Sequence, residues 1–376
     1  MNDGAAAVPR GTAVYREFER LYRLARTLRP WSTDRWNGDL FAGGTGNWGS
    51  VDRLSGALTL SHEHVLRHLR DSGFSTTARQ QAQALATILH ETTHASMELD
   101  APDHPNAVRR KSTWNVMEGV AELRAITDVR AFAVRAGYGP LPTPQPQYPA
   151  PYAAIDGLME EASGPRRDRE ALLNTLSLGP GALHLDQLAD GVLQNRLAEV
   201  VPVGDHQAVR AALIEPMLHP AWSQIGKMPS GIGENVARDI QIKLNTVVDE
   251  IRQHYRAQPA QVFPAEGPNA EAARVAEGNR LAALPAPDAR DRVDRSAPGD
   301  RHGGAAPGVG ERADEPVKGG WTPSGRGEAG VAAMRFLDGV APAAGATGRR
   351  PSLGQGARGA GQGGRDRRPE SGVERE

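Results

Sequence analysis

The most informative segment of this chain is His90-Glu91-Thr92-Thr93-His94. It falls inside a segment that the sequence predicts as a helix over residues 77–99. Two residues four positions apart lie one helical turn apart, about 40° from each other, so the two imidazoles can reach a common point above the helix. A tetrahedral zinc ion requires this geometry of two neighbouring ligands.

The acidic residue between the two histidines suits a different role. Glu91 is rotated by about 100° from His90 around the helix axis, so its carboxylate cannot easily bind the same ion. It can instead lie beside a water molecule on that ion and accept its proton. The spacing therefore predicts His90 and His94 as zinc ligands and Glu91 as the general base of a hydrolytic reaction.

A third ligand is expected from the next predicted helix, which spans residues 112–136. Glu118 and Glu122 lie one turn apart on one face of that helix. Glu118 is predicted to complete the site for one Zn2+ ion, and Glu122 to orient one of the ligating histidines from behind. Gly119 and Ala121 leave room for a close approach between helices.

These two segments resemble those of the gluzincin metallopeptidases, in which a His-Glu-x-x-His helix is followed by a helix that supplies a glutamate. Residues 118–122, Glu-Gly-Val-Ala-Glu, are similar to the Glu-Gly-x-Ala segment around that glutamate. The resemblance covers about residues 56–135. It implies a zincin-like core and hydrolysis of peptide bonds in a peptide or protein substrate. It also implies an edge strand, here residues 56–60, that binds extended peptide beside the metal helix.

The proposed reaction needs a hydrogen-bond donor to the oxyanion that develops on the substrate carbonyl. Enzymes of this kind usually supply it from a tyrosine or a histidine. The sequence offers five side chains for this role and does not choose among them: Tyr148, Tyr152, His184, His206 and His219.

A metzincin-like arrangement competes with this assignment of the third ligand. Asp100 stands where such sequences, of the pattern His-Glu-x-x-His-x-x-Gly-x-x-His/Asp, have their last ligand. Met97, however, occupies the glycine position at which that helix must turn sharply. The pattern therefore favours Glu118 over Asp100.

A second histidine cluster lies upstream, on a helix predicted to run from Ser61 to about residue 70. Its members are His62, His64 and His68. Because no acid in the right register accompanies them except Glu63, a polar helix face is the better interpretation.

The remaining sequence predicts a predominantly α-helical protein of the α+β class. Further helices are expected over residues 12–28, 152–162, 168–178, 185–200, 206–217 and 233–256. Residues 257–376 contain 22 Gly and 12 Pro, a composition that cannot bury enough apolar surface to fold. We therefore predict a zincin-like metallohydrolase domain over residues 1–256, with a small sheet and a helical C-terminal subdomain, followed by a disordered tail. An apolar patch at residues 331–340 is a candidate docking segment for another protein, and a transient helix without a function is the favoured interpretation.

Composition narrows the class of protein further. The chain has no cysteine, which excludes thiolate zinc sites and cysteine nucleophiles. A net charge of −1 gives no electrostatic footprint for nucleic acid or for an anionic membrane. Without a secretory signal or a long apolar run, the sequence favours a cytoplasmic location and leaves export by a specialised machine open.

The leading hypothesis is a zinc metallopeptidase. The alternative is a zincin-fold regulator or delivered effector that acts on a single protein partner.

Overall fold

The computed structural model describes residues 5–29, 31, 33–110 and 113–268. Over these residues the chain is mainly helical and carries one small mixed sheet, which confirms the predicted α+β class. No helix in the described part of the chain is both long and apolar enough to cross a bilayer. Most of the predicted tail, with the patch at residues 331–340, lies outside the described residues.

The helices are α1 (Ala13–Leu28), α2 (Ala78–Ser96), α3 (Trp114–Arg135), α4 (Pro149–Ala162), α5 (Arg169–Leu178), α6 (His184–Arg196), α7 (His206–Met217) and α8 (Ser230–Ala257). The strands are β1 (Ala6–Ala7), β2 (Leu40–Gly43), β3 (Gly49–Val51) and β4 (Leu58–Ser61). The predicted start of the metal helix is confirmed. Thr77 accepts a hydrogen bond from the backbone of Gln80, whose side chain accepts one from the backbone of Thr77, so a capping box begins α2.

The sheet has the strand order β1-β2-β4-β3, with β2 and β4 parallel and the other pairs antiparallel. The predicted strand at residues 56–60 appears as β4, but β4 lies between β2 and β3. The expectation that it forms the edge strand beside the metal helix is therefore wrong. That edge is β3, whose three residues, Gly, Ser and Val, are too few and too small to give a strand pattern in the sequence.

The helix predicted from Ser61 to about residue 70 is also wrong. Ser61 is the last residue of β4, and only a short 3-10 turn, Leu66–His68, follows it. The Ser61 hydroxyl accepts a hydrogen bond from the backbone of His64, so it caps a turn and not a helix. Val65 and Leu69 are buried in the core, which fixes this segment by packing where the sequence pattern alone indicated a helix.

Two hydrophobic cores share one helix. The first is built from α1, the sheet, α2 and the C-terminal half of α3, and includes Leu21, Leu60, Ile88 and Phe132. The second is built from the N-terminal half of α3 and from α4 to α8, and includes Val120, Ile155, Leu188, Leu213 and Ile240. Each fully buried aliphatic side chain contributes about 1.5–3 kcal/mol of transfer free energy. Because one core packs against the N-terminal half of α3 and the other against its C-terminal half, the positions of Glu118 and Glu122 on this helix are fixed.

Close packing of α3 against α4 depends on Gly119. A Cβ atom at this position would lie 2.6 Å from both Pro151 O and Ile155 Cγ1, which is closer than such atoms approach. The glycine therefore permits the close helix approach that the sequence predicted, and the partner is α4.

Arg124 fixes α3 to its other neighbours. Its side chain is fully buried, and it donates hydrogen bonds to Leu89 O at 3.1 Å and Thr93 Oγ1 at 2.6 Å in α2, and to Ala25 O at 3.0 Å in α1. Burial lowers the pKa of Arg124 to about 9, which still leaves it charged at neutral pH. These bonds hold the relative positions of α2 and α3, and so of the candidate ligands that the two helices carry.

Candidate metal centre

Three donor atoms from two helices converge on one point. His90 Nε2 lies 3.1 Å from Glu118 Oε2 and 3.1 Å from His94 Nε2, and His94 Nε2 lies 3.5 Å from Glu118 Oε2. All three side chains are buried. Donor atoms bound at 2.0–2.2 Å to one tetrahedral ion lie about 3.3 Å apart, so the observed triangle fits the group that the sequence implied.

The chemistry of the three donors also suits a cation. Burial raises the pKa of Glu118, but His94 and hydrogen bonds from both histidines outweigh this and hold the pKa well below its usual range. Burial lowers the pKa of His94, which favours the neutral imidazole that can bind a metal. Burial lowers the pKa of His90 as well, but hydrogen bonds to Glu118 and Glu122 raise it well above the usual value. In the absence of a metal, His90 therefore carries a proton, and a bound cation would have to displace that proton.

Glu122 lies behind His90, as a residue that orients a ligand would. Its Oε2 atom is 2.9 Å from His90 Nδ1, although the ring N–H is poorly aligned with that oxygen. The other carboxylate oxygen accepts a hydrogen bond from the backbone of Gln147 at 2.8 Å. In the neutral imidazole that would bind a metal, Glu122 favours the tautomer with the proton on Nδ1, which leaves the Nε2 lone pair directed at the other two donors.

Glu91 is buried beside the metal group but is not part of it. Its side chain lies against β3, where a Cβ atom on Gly49 would come within 2.6 Å of Glu91 Cγ and Oε1. Burial raises the pKa of Glu91 to about 8, with a smaller opposing effect of His90. A carboxylate whose pKa lies near neutrality is suited to accept a proton and to release it again.

Tyr148 is the one of the five predicted oxyanion donors that stacks on a ligand. Its ring lies on His90, with centroids 5.4 Å apart and planes 14° apart, and its hydroxyl is close enough to Glu118 to interact with it electrostatically. The negative charge of Glu118, with burial, raises the pKa of Tyr148 well above its usual value, so the phenol keeps its proton. Among the others, His184 bonds to Leu176 O and His219 lies 3.7 Å from Asp239, while Tyr152 packs on the second core.

An aromatic residue that the sequence analysis did not single out covers the other ligand. Trp114 stacks on His94 with ring centroids 5.8 Å apart and planes 11° apart, and the guanidinium of Arg53 lies 3.9 Å above the Trp114 ring. Trp114 precedes Glu118 by one helical turn, and that spacing was the available signal. No comparable spacing indicates Arg53, which follows β3 in the turn before β4.

The rival ligands lie elsewhere. Asp100 is exposed and pairs with Arg109 at 2.8 Å. The upstream histidines do not converge: His64 stacks on Trp48, His68 Nδ1 contacts the hydroxyl of Thr76, and His62 contacts the adjacent glutamate. Within the ranges that the structure describes, the His90, His94 and Glu118 group is the only cluster of this kind.

No protein-family model, curated protein or solved structure matches this chain. The interpretation of the centre therefore rests on its own chemistry. That chemistry consists of two imidazoles, one ionised carboxylate, a buried carboxylate beside them and a protonated phenol above them. A buried group of this composition could hold a metal ion, and the adjacent acid and phenol could move protons around it.

Proposed function

We propose that this protein is a zinc-dependent peptidase of gluzincin type, built on a zincin-like core formed by the sheet with α2 and α3. The observation that carries the proposal is the 3.1–3.5 Å triangle of His90 Nε2, His94 Nε2 and Glu118 Oε2. Two histidines with one carboxylate, and a fourth position left for water, form a ligand set typical of catalytic zinc. When bound there, zinc supplies Lewis-acid chemistry that acidifies water and polarises a carbonyl.

Glu91 carries the proton in this proposal. It accepts one from the attacking water at a carboxylate oxygen and returns it to the amide nitrogen as the peptide bond breaks. Its buried position beside Gly49 supports this role, because the carboxylate is next to the metal group and has little bulk solvent around it. Glu122 holds the His90 ring in the tautomer that keeps Nε2 free.

Tyr148 stabilises the charge that develops on the substrate. Its hydroxyl interacts electrostatically with the ligand Glu118 and stays protonated, so it can donate a hydrogen bond to a carbonyl oxygen that enters the centre. Stacking on His90 limits the rotation of the phenol ring. A donor held in place before the reaction contributes more than one that must reorganise.

The position of β3 supports a peptide as the substrate. Among the residues that the structure describes, this strand lies at the edge of the sheet and pairs only with β4, and its Gly49 contacts Glu91. An unpaired strand edge can bind extended peptide through main-chain hydrogen bonds. Such pairing would bring a peptide bond alongside Glu91 and the three ligands, whatever the side chains of the substrate.

Cleavage of denatured casein by the full-length protein, with and without a chelator, tests the proposal. We expect chelator-sensitive cleavage that zinc restores. Glu91→Gln should keep its zinc but lose about a hundredfold or more in turnover, since a positioned general base contributes about 10²–10⁴. Glu98→Gln, at an exposed position four residues from His94, is the matched control and should retain activity. Activity of Glu91→Gln equal to that of the control would contradict the assignment of the base.

A further inference from the structure

We propose that Arg53 and Arg35 form a subsite that binds a carboxylate group of the substrate. The proposal deepens the proposed peptidase function and rests on it, because it names the class of peptide that the centre prefers. The two arginines lie beside the ligand His94 and the edge strand β3, where a bound peptide would pass.

Arg53 lies next to the metal group. Its Cζ atom is 3.9 Å from the centre of the Trp114 ring, and that ring stacks in turn on His94. Arg53 is also close enough to Glu118 and His94 to interact with both electrostatically. It is half-buried, so the side chain is held on the tryptophan and still reaches solvent. Stacking of this kind fixes the plane of the guanidinium, which helps it to bind a carboxylate through two parallel hydrogen bonds.

Arg35 brings a second positive charge to the same place. Its Nη2 atom donates a hydrogen bond to the backbone oxygen of Arg53 at 2.5 Å, and its own backbone N–H bonds to Ala95 O just after the ligand His94. Burial lowers the pKa of Arg53 to about 10; the negative charge of Glu118 opposes this effect, and the positive charge of Arg35 adds to it. Arg35 therefore ties the Arg53 turn to the end of the metal helix and adds its charge to the subsite.

Neither arginine forms an ion pair within the described part of the chain. The comparably buried arginines elsewhere do: Arg167 pairs with Asp190, Arg196 with Glu161 and Arg210 with Asp186. Two half-buried like charges that form no ion pair raise the free energy of the folded protein, because each loses hydration and repels the other, and the attraction between Glu118 and Arg53 offsets this only in part. An incoming anion would relieve both costs, and a bound zinc ion nearby adds to the attraction. The structure thus has the electrostatics of an anion site beside a site for peptide.

A carboxylate is the anion that a peptide substrate carries. It has two sources with the same chemistry, an aspartate or glutamate side chain and the free C-terminus. A charge-assisted hydrogen bond contributes about 1.5–3 kcal/mol, which corresponds to a preference of about ten- to a hundredfold for the acidic peptide over its neutral analogue. We therefore expect a peptidase that selects acidic residues or chain ends at one fixed distance from the bond it cleaves.

The test uses the zinc-loaded full-length protein and a mixture of peptides from a digested proteome, with cleavage sites mapped by mass spectrometry. Half of the mixture is amidated at its C-termini. Enrichment of Asp and Glu at one fixed position identifies side-chain recognition, and loss of cleavage on amidation identifies recognition of the terminus. Arg53→Met should reduce the preference for the acidic peptides by about tenfold or more, and Arg53→Lys should reduce it less. Arg79→Met, at an exposed position in the first turn of α2, is the control and should change nothing.

A binding arm separates failure of the subsite from failure of the proposed function. Glu91→Gln is immobilised, and the peptides that it retains from the same mixture are compared with those retained by Glu91→Gln combined with Arg53→Met. Retention of acidic peptides that requires Arg53, without any cleavage by the wild type, supports the subsite and overturns the peptidase. Cleavage without preference for an acid, or a preference that Arg53→Met leaves intact while its zinc content and melting temperature match the wild type, overturns the subsite.

Discussion

Glu122 Oε2 lies 2.9 Å from His90 Nδ1, on the far side of the imidazole from the nitrogen that points at the other donors. Through this contact, Glu122, which supplies none of the three converging donor atoms, influences the tautomer of His90, which supplies one of them. A ligand histidine that is not held in this way must lose rotational freedom and choose the correct tautomer when the metal binds. We therefore expect Glu122 to affect metal affinity without being a ligand itself.

Substitution of Glu122 should weaken zinc binding without abolishing it. We expect Glu122→Ala to lower the zinc affinity by about 10–100-fold, since residues that orient a ligand contribute about that much. Competition with a chromogenic chelator measures the affinity. Glu98→Ala removes an exposed carboxylate near the same helix and should have the wild-type affinity. Equal affinities of the two variants would mean that the contact at His90 has no role in metal binding.

Gly49 should be intolerant of a side chain for a chemical reason. Gly49→Ala places a methyl group where Glu91 Cγ and Oε1 now lie, and the buried glutamate must move to accommodate it. We expect turnover to fall by about tenfold or more, because a general base works only within hydrogen-bond reach of the proton it takes, while zinc content stays that of the wild type. The control is Gly44→Ala, since a Cβ atom at residue 44 meets nothing within 4 Å. A Gly49→Ala enzyme as active as Gly44→Ala would remove Glu91 from the reaction.

Burial of Glu91 has a consequence for the metal-free protein. Its pKa is about 8 in the folded protein, whereas a solvated glutamate, as in the unfolded chain, has the ordinary value of 4.5. The folded protein therefore binds this proton more tightly than the unfolded chain does. The associated stability is present below pH 4.5 and is lost as the pH rises through 8. After removal of metal, the wild type should lose a few kcal/mol relative to Glu91→Gln between about pH 5 and pH 9. Urea unfolding of both proteins across this range measures the difference, and a difference that does not depend on pH would contradict the buried carboxylate.

Arg124 should be needed for the stability of the fold that carries the centre. Arg124→Met removes its hydrogen bonds to α1 and α2 and leaves buried carbonyl oxygens without a donor, so we expect a loss of about 2–4 kcal/mol in the free energy of unfolding. Urea unfolding measures this loss. Arg130→Met changes an exposed arginine of the same helix and should lie within about 0.5 kcal/mol of the wild type. Equal stabilities of the two variants would contradict a role for Arg124 in fixing α2 to α3.

The part of the centre that lies on regular helices could be predicted from the sequence. His90 and His94 are related by one helical turn, and so are Glu118 and Glu122, so periodicity alone places each pair on one face. The need for a third ligand predicts that the two faces meet, the resemblance to gluzincins implies the same, and the structure brings His90, His94 and Glu118 together. The start of α2 was likewise predictable, because the capping box at Thr77 is a local signal.

The residues that could not be predicted are placed by long-range packing. Gly49 contacts Glu91 only because β3 pairs with β4 at the edge of the sheet beside α2. A strand of three residues is too short for a sequence pattern to predict this pairing. Arg53 reaches Trp114 through a turn, and Tyr148 reaches His90 after a proline-rich connector. The prediction of a helix after Ser61 was wrong for the same reason, namely long-range packing. Burial of Val65 and Leu69 in the core outweighs a local preference that the sequence displays.

Metal content of the full-length protein tests the central claim most directly. Elemental analysis should find about one zinc ion per chain in the wild type, a near-complete loss in Glu118→Ala, and wild-type content in Asp100→Ala, since a catalytic zinc site needs three protein ligands. A protein purified in the presence of zinc that holds none, or one in which Asp100→Ala loses the metal while Glu118→Ala retains it, would contradict the assignment of His90, His94 and Glu118 as the metal ligands.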